Sequence, residues 1–420
     1  FTITVRLDNV GPTISGTPRN SVRSGERYNF NPVASDLDGD PLTFSISGRP
    51  AWANFDETTG RLYGTPTDAD AGSYGGIIIT VSDGELSDDL GPFTITVQAD
   101  ASGTPPGVPA NPNATLEAVA LLNKIINFPS APRKVGSGHH LGAFRADSAP
   151  LSLEPGGQVY ELQQLTGQTP WLFGTDYDAS WVGQVHDYTA INAVLIDHVA
   201  AGGAITISIH SRIPGNEDLR WDDYDSIDIE QLITPGTSEY NGWRKMLDEY
   251  AVGFQELQDN NVPVLIRFFP EMNRTKFWWA YQNSTMTPAR YHTLWQQTYD
   301  YLTNTKGLNN LLWMWNPVIG AGIAPEPWYP GDNYVDVVGV SNYRGGTTTD
   351  EDRADQLALH QAFPNKPFAI AEGFKNRTET DYDNALLLNE LKNNYTYVSY
   401  FMHWDKVHGA IENPNPRTLL

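Results

Sequence analysis

The chain has 420 residues, 40% of them hydrophobic, and a formal net charge of −23; it can fill two or three domain cores but offers no basic surface to nucleic acid or to anionic membranes. It has no cysteine, which removes disulfides and thiolate metal sites, and no apolar run of spanning length, so no membrane span is expected. A neutral partner fits this balance, and 12 Trp, 20 Tyr and 16 Phe supply flat faces of the kind on which sugar rings stack.

Phe1 to Val5 reads FTITV, and so does Phe93 to Val97. The repeat predicts that residues 1–7 are the last strand of a preceding copy and that residues 8–99 form one module. Within it, Tyr28 to Phe30, Leu42 to Ile46 and Ile77 to Val81 are short alternating segments separated by turn clusters, the pattern of an all-β sandwich. ASDLDGDPLTFSI (Ala34 to Ile46), Pro50-Ala51-Trp52, GRLYGTPT (Gly60 to Thr67) and TVSDGELSD (Thr80 to Asp88) resemble the bacterial immunoglobulin-like, cadherin-related modules of secreted proteins. The resemblance implies a spacer and an extracellular setting. Asp36, Asp38 and Asp40 cluster carboxylates that could hold a structural calcium ion. The same residues also favour turns for backbone reasons, and the loop spacing of an EF-hand is missing.

Residues 100–114, rich in Pro, Gly and small residues, read as a linker. The remaining domain, 115–420, opens with a helix-like stretch, Thr115 to Ile126, and then alternates apolar runs with amphipathic segments. The runs are His140 to Phe144, Trp171 to Asp176, Ala204 to His210, Val264 to Glu271, Asn310 to Asn316, Val335 to Tyr343, Phe368 to Phe374 and Val398 to Trp404. Helical candidates at Trp243 to Gln258, Pro288 to Thr305 and Asp381 to Asn393 lie between them. Eight runs at this spacing predict a (β/α)8 TIM barrel. An open doubly wound sheet is the weaker alternative, because no Gly-rich phosphate loop follows an early strand.

In such a barrel the C-terminal strand ends converge on one face. They carry His139 or His140, Asp176 with Tyr177, His210, Glu271, Trp315 with Asn316, Tyr343, Glu372 and Trp404. Glu271 and Glu372 end the fourth and seventh runs, nearly opposed across a barrel, and a pair of carboxylates is what cleavage of a glycosidic bond requires. Their separation would decide between retention and inversion of the anomeric centre. Arg267, the one charge inside its run, needs a partner. Each neighbour also has a plainer reading: His210 as a structural histidine, Asp176 as a cap, Tyr343 as core with a locally satisfied hydroxyl, and at least one of Trp313 and Trp315 as packing, since they share a strand face.

ISIHSRIPGN (Ile207 to Asn216), VLIRFFPEMNRTKFWWAY (Val264 to Tyr281), the Tyr291 to Pro317 segment, WYPGDNYVDVVGVSNY (Trp328 to Tyr343) and KPFAIAEGF (Lys366 to Phe374) together resemble glycoside hydrolase family 26, the β-mannanases and their relatives. The resemblance implies a retaining endo-β-glycanase that needs no cofactor for catalysis. Glu271 would be its acid/base, Glu372 its nucleophile and Tyr343 the hydroxyl that orients the nucleophile. His210, Trp278 and Trp279 would bind sugar beside the cleaved bond, with Trp404 as a floor; His140, Asp176, Arg267, Asn273 and Trp315 complete the candidate substrate-binding set. One departure stands out: Pro270 occupies the position before the acid/base where the family usually has His. The substrate is therefore open among β-mannan, β-1,3-xylan and mixed-linkage β-glucan, and a carbohydrate-binding protein without turnover is the rival from another class. A secreted monomer acting on a neutral polysaccharide is the expectation.

Overall fold

The protein's computed structural model describes residues 9–23, 28–64, 66, 70–98, 107–130, 134–143, 153–155, 157–178, 187–215, 223–275, 277–342, 350–373 and 384–403. The chain divides into two compact units, 1–108 and 109–420.

The first unit is all β. Its strands are β1 (Thr13–Ser15), β2 (Ser21–Arg23), β3 (Tyr28–Phe30), β4 (Val33–Ser35), β5 (Thr43–Ser47), β6 (Ala53–Asp56), β7 (Arg61–Gly64), β8 (Gly72–Ser82) and β9 (Ser87–Gln98). They form a four-stranded sheet in the order β2-β9-β8-β5, a three-stranded sheet β3-β7-β6 and a β1-β4 pair. Alternation along β8 turns Ile77, Ile79 and Val81 inward, as a period of two requires. They pack with Tyr28, Leu62 and Ile95 into one core, and Trp52 closes it edge-on to Tyr28 at 5.9 Å between ring centroids. The expected strand of a preceding copy, residues 1–7, lies outside the described residues.

The second unit is a closed parallel barrel of eight strands in sequence order: β10 (Gly136–Ala143), β11 (Leu172–Asp176), β12 (Ala204–Ile209), β13 (Val264–Phe268), β14 (Leu311–Trp315), β15 (Val337–Asn342), β16 (Phe368–Gly373) and β17 (Val398–His403). Helices α2 (Gln158–Thr166), α3 (Thr189–Ala200), α4 (Ile229–Ile233), α5 (Ser238–Asp259), α6 (Pro288–Asp300), α7 (Asp350–Ala362) and α8 (Asn384–Asn393) lie between the strands. The eight apolar runs are these eight strands. Both faces of each strand are buried, so the runs are continuous rather than alternating. One set of side chains, Leu172, Ala204, Leu265, Leu312, Met314, Val337, Ala369, Ala371 and Met402, fills the barrel. Helix α1 (Leu116–Asn127), capped by Thr115, adds Leu121, Leu122 and Ile125 to that same cluster and so stops its N-terminal end. The other set, including Ile207, Phe268, Trp313, Trp315, Val340 and Ile370, packs outward with the helices.

Residues 110–114 differ from the expected linker. The Ala110 N–H donates to the Asp336 carboxylate, and Asn111 is 1% exposed and bonded to Asn309. Composition marks this stretch as irregular, but Ala110 and Asn111 tie it to the barrel domain, while the Asn113 and Ala114 N–H groups bond back to Asn111. Among the described residues no helix is long and apolar enough to cross a membrane.

Candidate active site

Beyond β13 the chain turns sharply at two residues in the left-handed region, Phe269 (φ 48°) and Glu271 (φ 58°). For side chains of this size such a conformation costs on the order of 1–3 kcal/mol and persists only where the surroundings over-determine it. Here they do. The Tyr291 hydroxyl donates to the Phe269 carbonyl at 3.3 Å, the Trp279 indole to the Pro270 carbonyl at 2.7 Å, and the Glu271 N–H to the Asn316 carbonyl at 2.7 Å. The Glu271 side chain is delivered to the strand-end face at 3% exposure. Its Oε2 takes a hydrogen bond from Arg274 Nη1 at 2.9 Å, while Oε1 is buried with no partner among the described residues.

Glu372 reaches the interior by another device. Plain alternation along β16 would send it outward, since Ala369 and Ala371 face the barrel and Phe368 and Ile370 the helices. The ladder to β15 shifts between Val340 and Ser341, which pair with Ile370 and Glu372. That extra residue on β16 is a bulge, and a bulge re-aims the side chain that follows it. Gly373 completes the turn at φ 154°, where a Cβ would sit 2.1 Å from the Asn342 carbonyl oxygen, so only glycine fits.

Arg267 supplies the partner for Glu372. Its side chain is fully buried, and Nη1 donates to Glu372 Oε2 at 2.9 Å, Asn316 Oδ1 at 3.0 Å and the Ala371 carbonyl at 3.2 Å, while Nη2 donates to Ser208 Oγ. The planar fork therefore ties β12, β13, β14 and β16 together and satisfies a buried charge. Asn316 joins the two carboxylates: its carbonyl holds the Glu271 backbone and its side chain holds the arginine that holds Glu372.

Next to this pair, Asp176 and His210 meet across β11 and β12. Asp176 accepts from the His210 backbone N–H at 3.2 Å and bonds Nδ1 of its ring. Burial disfavours the imidazolium, but the Asp176 charge and hydrogen bond outweigh it and hold His210 above its usual value, with Glu372 acting in the same direction and Arg267 against it. His140 goes the other way, held well below its usual value first by burial and then by Arg267, His210 and His139. Two residues after Asp176 and His210, beyond the strand ends, Asp178 bonds the Arg212 guanidinium at 3.3 Å, repeating the acid–base pairing of Asp176 with His210.

Glu372, Arg267, Asp176, His210 and His140 are thus brought together, and Glu271 is linked to them through Asn316. Five expected sugar contacts, Trp315, Asn273, Trp278, Trp279 and Arg267, are corrected, each being 0% exposed. Trp315 is 0% exposed and faces outward against Tyr329 and Phe363, because it shares the strand face of Trp313. Asn273 spends its amide on the Val318 and Ile323 carbonyls and the Val318 N–H. Trp278 is core, 0% exposed, edge-on to Trp243 and donating to the Ser211 carbonyl. Trp279, also 0% exposed, stacks on Phe277 at 4.6 Å, and Phe277 in turn lies 5.5 Å from His210. Tyr343 and Trp404 lie outside the described residues. Sequence reading did not single out Asn316's bridging role, Ser208, Phe277 or Arg274. The unpartnered charge of Arg267 was a signal for the first two, since a buried guanidinium needs several acceptors.

In the first unit, Asp36, Asp38 and Asp40 each offer one oxygen, all within 4.8 Å of one another. Asp36 Oδ1 accepts the Asp38 N–H at 2.8 Å, and its Oδ2 is buried without a partner among the described residues. A hard cation would satisfy that oxygen.

Comparison with known proteins adds the following. Residues 110–415 match the family described as Glycosyl hydrolase family 26, and residues 11–98 match the one described as Putative Ig domain. A mannan endo-1,4-beta-mannosidase of Bacillus subtilis is 27% identical over 74% of this chain and 85% of its own length. One of Caldalkalibacillus mannanilyticus is 30% identical over 74% of this chain and 60% of its own. The solved structure of a Bacillus subtilis mannanase, 28% identical, superposes with a TM-score of 0.65 over 74% of this chain and 92% of that one.

Proposed function

Since the chain belongs to glycosyl hydrolase family 26, we propose that it is an endo-acting hydrolase of a neutral β-linked polysaccharide, β-mannan first, working by double displacement with retention. The relatives named as mannan endo-1,4-beta-mannosidases support the substrate. The observation that carries the mechanism is the unequal environment of the two carboxylates: Glu372 Oε2 is held by the fully buried Arg267, whereas Glu271 Oε2 is held by Arg274, whose side chain is 40% exposed, and its Oε1 has no partner among the described residues.

The chemistry follows from that inequality. A fixed carboxylate suits attack on the anomeric carbon, and Arg267 stabilises its charge through a short charge-assisted bond. Glu271 gives a proton to the departing glycosidic oxygen, then takes one from the water that releases the sugar from Glu372. Both groups are nearly excluded from solvent, so the fixed donors around them act in a low dielectric. His210, oriented through Nδ1 by Asp176, keeps its Nε2 on the side of the ring away from that carboxylate, suited to a sugar hydroxyl. Action on a polymer outside the cell, with the immunoglobulin-like unit as a spacer, completes the proposal.

Three measurements test it. Glu271→Gln and Glu372→Gln should each abolish release of reducing ends while leaving polysaccharide binding nearly unchanged; turnover in either variant would overturn the assignment. A panel of β-mannan, β-1,3-xylan and mixed-linkage β-glucan identifies the substrate. NMR of the first-formed anomer reads the stereochemistry, and an inverted product would exclude Glu372 as nucleophile.

A further inference from the structure

We infer that Arg274 is a positioning residue for Glu271, holding one oxygen of its carboxylate so that the other faces the glycosidic oxygen. The inference rests on the reading of Glu271 as the proton-transferring group.

The geometry is local and doubly fixed. Glu271 to Arg274 is a tight turn in which the Arg274 N–H donates to the Glu271 carbonyl at 2.9 Å, and the guanidinium folds back onto Glu271 Oε2 at 2.9 Å. Between them Asn273 pins the turn: its amide donates to the Val318 and Ile323 carbonyls and its oxygen accepts the Val318 N–H. The backbone of the turn is therefore anchored to a second loop through the residue next to Arg274. Its side chain is 40% exposed where that of Glu271 is 4% exposed, so the arginine lies on the solvent side of the carboxylate and Oε1 on the buried side.

The chemical consequence is asymmetry. A carboxyl group can carry its proton on either oxygen, and only one of those forms can protonate the substrate. A hydroxyl oxygen is a weaker acceptor than the other carboxyl oxygen, so the Arg274 bond to Oε2 favours the form that carries its proton on Oε1. That places the proton on Oε1, the oxygen with no partner among the described residues. A buried carboxylate oxygen left unpaired is costly, and the atoms that relieve it arrive with the reaction. In the first step Glu372 bonds to the anomeric carbon as the C–O bond breaks, its electron pair stays on the glycosidic oxygen, and the Oε1 proton passes to that oxygen. In the second, water bonds to the anomeric carbon, loses a proton to Oε1 and displaces Glu372.

The test uses the full chain and two aryl β-glycosides, phenyl and 2,4-dinitrophenyl, carrying the disaccharide of whichever polymer in the panel the protein cleaves. kcat/KM is measured for each variant at its own pH optimum. A dinitrophenolate leaves without a proton, so positioning of the acid affects only the phenyl substrate. For Arg274→Ala the phenyl substrate should lose roughly 10- to 100-fold, part of the usual worth of a general acid, and the dinitrophenyl substrate no more than about threefold. Arg274→Lys, which restores a donor, should recover most of the loss. Equal losses on both substrates, no loss on either, or a lysine variant no better than alanine would overturn the inference. Glu271→Gln separates the two levels: full activity of that variant on the phenyl substrate removes the underlying reading, whereas its inactivity beside an unaffected Arg274→Ala removes only the role of Arg274.

Discussion

Arg267 on β13 and Glu372 on β16 meet in the barrel interior through a 2.9 Å hydrogen bond, with side chains 0% and 5% exposed. The pair is a junction: the same Nη1 also bonds the bulge carbonyl of Ala371, so the group that stabilises the carboxylate also fixes the backbone irregularity that aims it. Structural and functional roles cannot be separated at this arginine.

Arg267→Lys keeps the charge but loses the planar fork, and a single ammonium cannot reach Ser208, Asn316, Ala371 and Glu372 together. The expected result is a folded protein with kcat reduced by roughly 10²-fold or more, the scale at which loss of one preorganised donor is felt. Arg267→Met leaves Glu372 buried without a counter-charge and should cost about 3–5 kcal/mol of stability. Denaturant melts with steady-state rates check both, and a lysine variant of unchanged kcat would contradict the junction.

Asn316 is the second element of that junction. Asn316→Ala removes the acceptor for Arg267 but keeps the carbonyl that holds the Glu271 N–H. The loss of a buried hydrogen-bond partner predicts a destabilisation of about 1–3 kcal/mol. Since the alanine frees Arg267 and Glu372 to shift together, kcat should fall with KM little changed; a change confined to KM would place Asn316 at substrate binding instead.

How much of this was legible in the chain follows from particular residues. The eight strands announced themselves because strands buried on both faces are continuous apolar runs, and Glu271 and Glu372 stood at their ends. The start of β10 did not: Gly136-Ser137-Gly138 has no strand signal, yet a Cβ on Gly136 would sit 2.4 Å from the Trp171 ring and one on Gly138 2.9 Å from the Phe401 carbonyl oxygen, so close packing demands glycine where propensity argues against a strand. Trp315 misled because a position near a strand end says nothing about which face it takes, and the outward face of Trp313 governs both. The bulge at Glu372 could not be read, since register depends on β15.

The Asp36, Asp38 and Asp40 loop is expected to take calcium at millimolar concentration, as extracellular modules do. With 10 mM calcium the first unit should gain roughly 1–3 kcal/mol, by mass action on a site of that affinity. Asp40→Asn should abolish the gain, and chelation should reverse it. Thermal melts that do not move with calcium would leave the loop as a turn stabilised by the Asp36 bonds to the Asp38 and Asp40 N–H groups.

Asp336 gives the barrel a pH dependence of known sign. It is 2% exposed and its carboxylate accepts the backbone N–H groups of Ala110 and Trp313. Burial still dominates and pushes its pKa up to about 6, with those two bonds and Lys366 acting against it. The unfolded chain titrates near the ordinary aspartate value, so between about pH 4 and pH 6 the folded state binds the extra proton. The stabilisation tied to that proton is complete below the unfolded pKa and is lost as pH rises through the folded one, by about 3 kcal/mol in all. Asp336→Asn cannot titrate. It should be the less stable protein at pH 4, where one backbone donor has lost its acceptor, and the difference from the unsubstituted chain should shrink or reverse by pH 7. Denaturant melts at the two pH values decide it: a stability difference independent of pH would mean that Asp336 is ionised throughout and that Lys366 outweighs burial.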